Sequence, residues 1–159
     1  MEPGARQGRA HRGNLRLFFG GSGGRTAARA MLETALAARQ SGVDVVVGWV
    51  NPGGSDAVDH LLRAFERLTA PGAAGNPKHP ARIDVDAVKR RIPAIFLVDP
   101  RATSPADGAR GASHDSWADI EHIIASGIDV WAVLDATGFS SWTSVGAGIP
   151  SRLNSTSLL

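Results

Sequence analysis

The chain has 159 residues, 43% hydrophobic and 20% charged, with a formal net charge of +2, no cysteine and no tyrosine. That length is one domain's worth, enough to bury about two thirds of the unfolded surface. The composition excludes disulfides, thiolate metal sites and a cysteine nucleophile, and no apolar run reaches the roughly 18 residues that a bilayer-spanning helix needs. Residues 1–12 hold Arg6, Arg9, His11 and Arg12 without an apolar core. They are therefore no secretory signal and read as a basic, disordered tail, with contact to anionic lipid or nucleic acid as the second reading. Without tyrosine or aromatics interleaved with basic residues there is no stacking platform for bases, so no nucleic-acid partner is expected.

Leu15-Arg16-Leu17-Phe18-Phe19 reads as a short buried strand running into Gly20-Gly21-Ser22-Gly23-Gly24-Arg25-Thr26, and a helical pattern opens at Ala27. Ser41-Gly42 stops that helix, and the β-branched run Val43 to Val50 forms the second strand. Asn51-Pro52-Gly53-Gly54 is a turn, with Ser55 or Asp56 as the cap of a helix carrying Val58, Leu61, Leu62, Phe65 and Leu68. A Gly/Pro/Ala-rich loop spans Pro71 to Pro80, followed by a short helix from Asp84 to Arg91, acidic at its start and basic at its end. Ala94 to Asp99 is the third strand, and a polar loop from Pro100 to Ser113 leads to a helix near Asp115–Ser126. Gly127 ends it, and Ile128 to Leu134 is the fourth strand. Apolar strands separated by helices predict an α/β fold of three layers, a mostly parallel sheet with helices on both faces. Residues 136–159, rich in Ser, Gly and Thr, read as a weakly structured tail.

The glycine turn between a strand and a helix is the setting in which backbone N–H groups converge on phosphate. A working phosphate loop also needs a lysine on the β/γ oxygens and a hydroxyl on Mg²⁺. Gly24-Arg25-Thr26 mimics that ending, with arginine for lysine and one residue too few after Gly20. Arginine's planar fork is a poor stand-in for a compact ammonium in a tight loop. Asp99, at the end of an apolar strand, fits the acid that holds Mg²⁺ through water, with a turn or cap residue before Pro100 as the alternative. Asp115, Asp119 and His122 fall on one face of the last helix. Opposite them lie Trp117, Ile120 and Ile124, so the acidic face reads as the solvated side rather than a metal site. His60 and His79 have no partner at ligand spacing and read as surface residues. The glycines lack the third member of a dinucleotide fingerprint, and no Gly-x-Ser-x-Gly elbow follows a strand.

From about Gly13 to Leu134 the chain resembles the N-terminal cytoplasmic domain of the KdpD-type osmosensitive potassium sensor histidine kinases. The carriers are Gly13-Asn14-Leu15-Arg16-Leu17-Phe18-Phe19-Gly20, Ala30-Met31-Leu32, and Gly42-Val43-Asp44-Val45-Val46-Val47-Gly48. Further on come Pro93 to Asp99, Trp117-Ala118-Asp119-Ile120-Glu121 and Gly127-Ile128-Asp129-Val130. The resemblance implies that residues 13–135 form a P-loop α/β regulatory domain. It also implies ATP and Mg²⁺ as ligands, a protein partner in a potassium-sensing two-component pathway, and a cytoplasmic location. No phosphoacceptor box or kinase ATP lid is present, so the chain is not expected to be a competent sensor kinase by itself, and with a degenerate P-loop its own catalysis is left open.

Three segments depart from the family pattern. Aligned without gaps from Gly20 to Met31, the family's loop lysine and threonine fall on Ala27 and Ala28. The polar run after the third strand becomes Pro100-Arg101-Ala102-Thr103-Ser104-Pro105, and the one after the fourth becomes Asp135-Ala136-Thr137-Gly138. The expectation is a retained fold with weakened or lost ATP binding. The possible nucleotide-binding set is Gly20, Gly21, Ser22, Gly23, Gly24, Arg25, Thr26, Ala27 and Ala28, with Asp99 on the metal side. The alternatives are a small P-loop NTPase or phosphotransferase using Arg25 and Thr26 in place of lysine and threonine, and a structural module whose site is dead.

Overall fold

Strands and helices alternate along the chain in the computed structural model, which describes residues 11–20, 25–68, 83–100 and 116–135. The elements are β1 (Leu15–Gly20), α1 (Arg25–Gln40), β2 (Val45–Val47), α2 (Asp56–Leu62), β3 (Glu66–Arg67), α3 (Val85–Arg91), β4 (Ile95–Val98), α4 (Ser116–Ala125) and β5 (Asp129–Asp135). The expected features at 1–10, 71–80, 101–113 and 136–159, together with His79 and Asp115, lie outside the described residues.

The sheet is parallel throughout, in the order β1-β5-β4-β2-β3. Two-residue periodicity sorts its side chains into two cores. Phe18, Val45, Val47, Ile95, Leu97 and Val133 point to the face covered by α1 and α2. Val46, Phe96, Val98, Val130 and Ala132 point to the face covered by α4, with Val88 of α3. Each inner strand is buried on both sides, which is why the sequence shows continuous apolar runs rather than alternation.

The faces follow from chain direction. The steps β1 to β2 to β3 run one way across the sheet and use one face; the steps β3 to β4 to β5 run back and use the other. A uniformly right-handed crossover demands that division.

Local chemistry sets the element ends. Gly42 and Gly127 take φ of 91° and 95° where α1 and α4 stop, as a left-handed cap requires. Asp84 caps α3 by accepting from the Ala87 amide at 2.9 Å. Arg16, on the α1 side of β1, lays its guanidinium over Phe18 and Trp131 at 4.9 and 4.8 Å from the ring centroids, an arrangement that suits a half-buried cation.

The helix expected to run through Phe65 and Leu68 ends instead at Leu62. Phe65 is buried on the α1 face and Leu68 packs toward the opposite one. Between them Glu66 and Arg67 pair with Val46 and Val47. An open edge on β2 would leave backbone groups unpaired, and this short strand closes it, aided by the Arg39 guanidinium donating to the Ala64 carbonyl.

Candidate functional site

Because all strands are parallel, their carboxyl ends share one edge, and the connections between adjacent strands decide where a crevice opens. The chain leaves β2 toward the α2 face and leaves β4 toward the α4 face. Trp49 and Asp99 therefore flank a topological switch point, joined there by the Asp99 amide donating to the Trp49 carbonyl at 2.8 Å. Gly48 continues the ladder, donating to Leu97 at 2.8 Å. A Cβ on Gly48 would lie 2.5 Å from the Phe96 ring, so the close approach of β2 to β4 depends on glycine.

Of the predicted site residues, Gly20, Arg25, Thr26, Ala27, Ala28 and Asp99 are described; Gly21, Ser22, Gly23 and Gly24 lie outside. Gly20 is the last residue of β1 and pairs with Asp135. A Cβ added to it would sit 2.7 Å from the Ala27 nitrogen, so strand end and helix start are in near contact. Helix α1 opens at Arg25, two residues earlier than the sequence pattern indicates. Arg25 and Thr26 are exposed, and the Arg25 stem lies over the β2–α2 turn, where a Cβ on Gly53 would meet its Cγ at 2.7 Å. Gly53 and Gly54 take φ of 59° and 73°, and the Gly53 amide donates to the Asn51 side chain. The β1 end and the β2 end are thus bridged by one arginine stem, a juxtaposition invisible in the sequence.

Ala27 and Ala28 are each 1% exposed and belong to the α1-side core with Phe18, Met31 and Leu32. Neither carries an ammonium or a hydroxyl. Asp99 is fully buried beside the buried Pro100. Strand β5 separates β4 from β1, so Asp99 stands two strand spacings, about 10 Å, from the β1 line.

Asp119 corrects an expectation. The solvated face assigned to it is not where it lies: Asp119 is buried at 8% exposure in the first turn of α4, whereas His122 is exposed. The i, i+4, i+7 spacing groups residues by angle alone and does not report which of them tertiary contacts cover. The carboxyl edge thus carries two buried carboxylates, of which the sequence pointed to one. Among the described residues no group of three or more His, Asp or Glu is placed to hold a metal ion, and no buried side-chain polar atom lacks a hydrogen-bond partner.

Comparison with known proteins follows the same strands. The family model for the osmosensitive K⁺ channel His kinase sensor domain, KdpD, matches residues 11–151. The chain belongs to the KdpD sensor-domain family. It is 34% identical over 139 residues to the sensor protein KdpD of Escherichia coli (strain K12), covering 87% of this chain and 15% of that protein. The sensor protein KdpD of Clostridium acetobutylicum is 30% identical over 139 residues, with the same two coverages. That of Mycobacterium tuberculosis (strain H37Rv) is 31% identical over 119 residues, 75% of this chain and 14% of the relative. The chain therefore matches a small part of each KdpD relative, the part its family model describes as a sensor domain. No helix among the described residues is long and apolar enough to cross a membrane.

Proposed function

We propose that this domain is a regulatory input module of a potassium-responsive two-component sensor kinase, in which the carboxyl edge of the sheet binds the phosphates of ATP weakly and relays that state to a protein partner in the pathway. Family membership supports the pathway. The observation that carries the nucleotide reading is the near contact of Gly20 with the Ala27 amide, because a strand end meeting a helix start at that distance brings backbone N–H groups to one point. Gly20 to Thr26 would supply the cradle. Asp99 would hold Mg²⁺ through water, and the ion would offset phosphate charge.

Where the loop lysine and threonine are expected stand two buried alanines. Each missing charge-assisted contact is worth about 1.5–3 kcal/mol, about ten- to hundredfold in affinity.

Titration of the full chain with Mg-ATP, followed by calorimetry and by phosphate release, tests the reading. Binding without turnover is expected. Hydrolysis abolished by Asp99→Asn would establish the NTPase alternative with Arg25 and Thr26 as surrogates. Absence of binding at saturating nucleotide would leave a structural module.

A further inference from the structure

The opposite edge of the sheet, where strands begin and helices end, carries a feature that packing does not explain. Ile92 caps α3 with φ 51° and ψ 56° and is the one non-glycine residue of positive φ among the described residues. A β-branched side chain is a poor occupant of the left-handed region, which favours glycine or asparagine at a helix end. Ile92 is also 71% exposed, so burial does not offset the strain.

The residue is held firmly in that position. Arg91, immediately before it, donates to both carboxylate oxygens of Asp44 at 2.7 and 2.9 Å and to those of Glu66 at 2.9–3.1 Å. Pro93, immediately after it, is buried. Asp44 and Glu66 are thus engaged by Arg91. Lys89 and Arg90, one turn before or adjacent, are exposed and have no ion pair among the described residues. Basic residues at a helix C-terminus suit the dipole and by themselves indicate nothing; a strained, outward isoleucine beside them is not accounted for that way. Arg12, three residues before β1, lies at the same edge and approaches Glu121 at 3.8 Å.

We infer that this corner docks on an anionic membrane surface, with Ile92 entering the headgroup layer and Lys89 and Arg90 on the lipid phosphates. A fluid headgroup layer accepts a lone apolar knob without a matching pocket, and its attraction for cations needs no fixed register. An acidic protein would require a shaped recess for Ile92. The docking is peripheral and goes beyond the nucleotide reading, on which it does not depend.

Sedimentation of the full chain with vesicles of equal phosphatidylglycerol and phosphatidylcholine, at low salt, is the test. The chain co-sediments with these and not with phosphatidylcholine alone. K89E/R90E weakens partitioning by about fivefold for each cation lost. I92N weakens it by about tenfold while keeping or raising the thermal midpoint by up to about 4 °C, because asparagine tolerates the left-handed conformation. That combination separates a docking residue from a structural one. Failure to bind anionic vesicles, or I92N binding as the parent does, overturns the inference. So does tighter binding to soluble polyglutamate than to the vesicles, which would assign the corner to an acidic protein.

Discussion

At the amino edge of the sheet, side chains carry the organisation: Arg91 ties the starts of β2 and β3 together through Asp44 and Glu66, and Arg12 approaches Glu121 at 3.8 Å. At the carboxyl edge the backbone carries it: Gly20 against Ala27, Gly48 against Phe96, Asp99 on the Trp49 carbonyl. Parallel α/β folds place ligands at the carboxyl edge, and among the described residues that edge carries the buried carboxylates of Asp99 and Asp119 and the exposed Arg25 and Thr26. The contrast shows that the close approaches at the carboxyl edge are required by packing alone, since they hold the sheet to α1 and the strands to one another.

Substitutions at the two edges probe that contrast, and the largest effect is expected at Gly13. Its amide donates to Ile124 at 2.8 Å, and a Cβ there would lie 1.9 Å from the Ile128 carbonyl oxygen. Gly13→Ala should cost about 3 kcal/mol or more and lower the thermal midpoint by about 8 °C in calorimetry. Gly20→Ala meets the Ala27 backbone at 2.7 Å and should cost about 2 kcal/mol while removing any nucleotide affinity. A stability change within about 0.5 kcal/mol would show that the approach is not required.

The double change A27K/A28T should raise Mg-ATP affinity about ten- to hundredfold at a stability cost of about 1–3 kcal/mol, since both alanines are packed. No gain in calorimetric titration, with the fold intact, would count against the ungapped register.

The smallest effect belongs to Arg91→Gln, whose ion pairs are partly exposed and screened by water and salt. A fall of about 2 °C in thermal midpoint at low salt, vanishing in concentrated salt, is expected. The Arg91 guanidinium, hydrogen-bonded to Asp44, holds that carboxyl below its ordinary range. A depressed carboxylate contributes stability above its unfolded pKa, and that contribution is lost as pH falls through the folded value. In urea melts, the gap between the parent and Asp44→Asn should therefore be constant above about pH 5 and close below about pH 4.

The sequence made the inner strands plain because burial on both faces forces continuous apolar runs such as Ile95-Phe96-Leu97-Val98. It hid β3 because Glu66 and Arg67 are charged edge residues, and because Phe65 and Leu68 stand three apart, a spacing that serves a helix face as well as two faces of a sheet. Asp99 was legible as an acid closing an apolar run. The burial of Asp119 was not, since it rests on tertiary contacts that helical spacing does not encode. The three consecutive basic residues of α3 suit any helix end; which of them reaches two strands is a tertiary fact. Pro93 marks a helix boundary but does not reveal that Ile92 must turn left-handed to reach it.

The pairing of β1 has a temporal consequence. Its partner among the described residues is β5, and the Asn14 amide is bonded to Asp129, 115 positions later. During synthesis at about 5–20 residues per second, this apolar strand emerges first and waits on the order of ten seconds for its neighbour to be made. Contacts so distant along the chain also slow folding from the denatured state. Among the described residues the sheet is thus closed by β5, the last strand to be made, and the interval before residue 135 appears is when β1 is most open to chaperones and to aggregation.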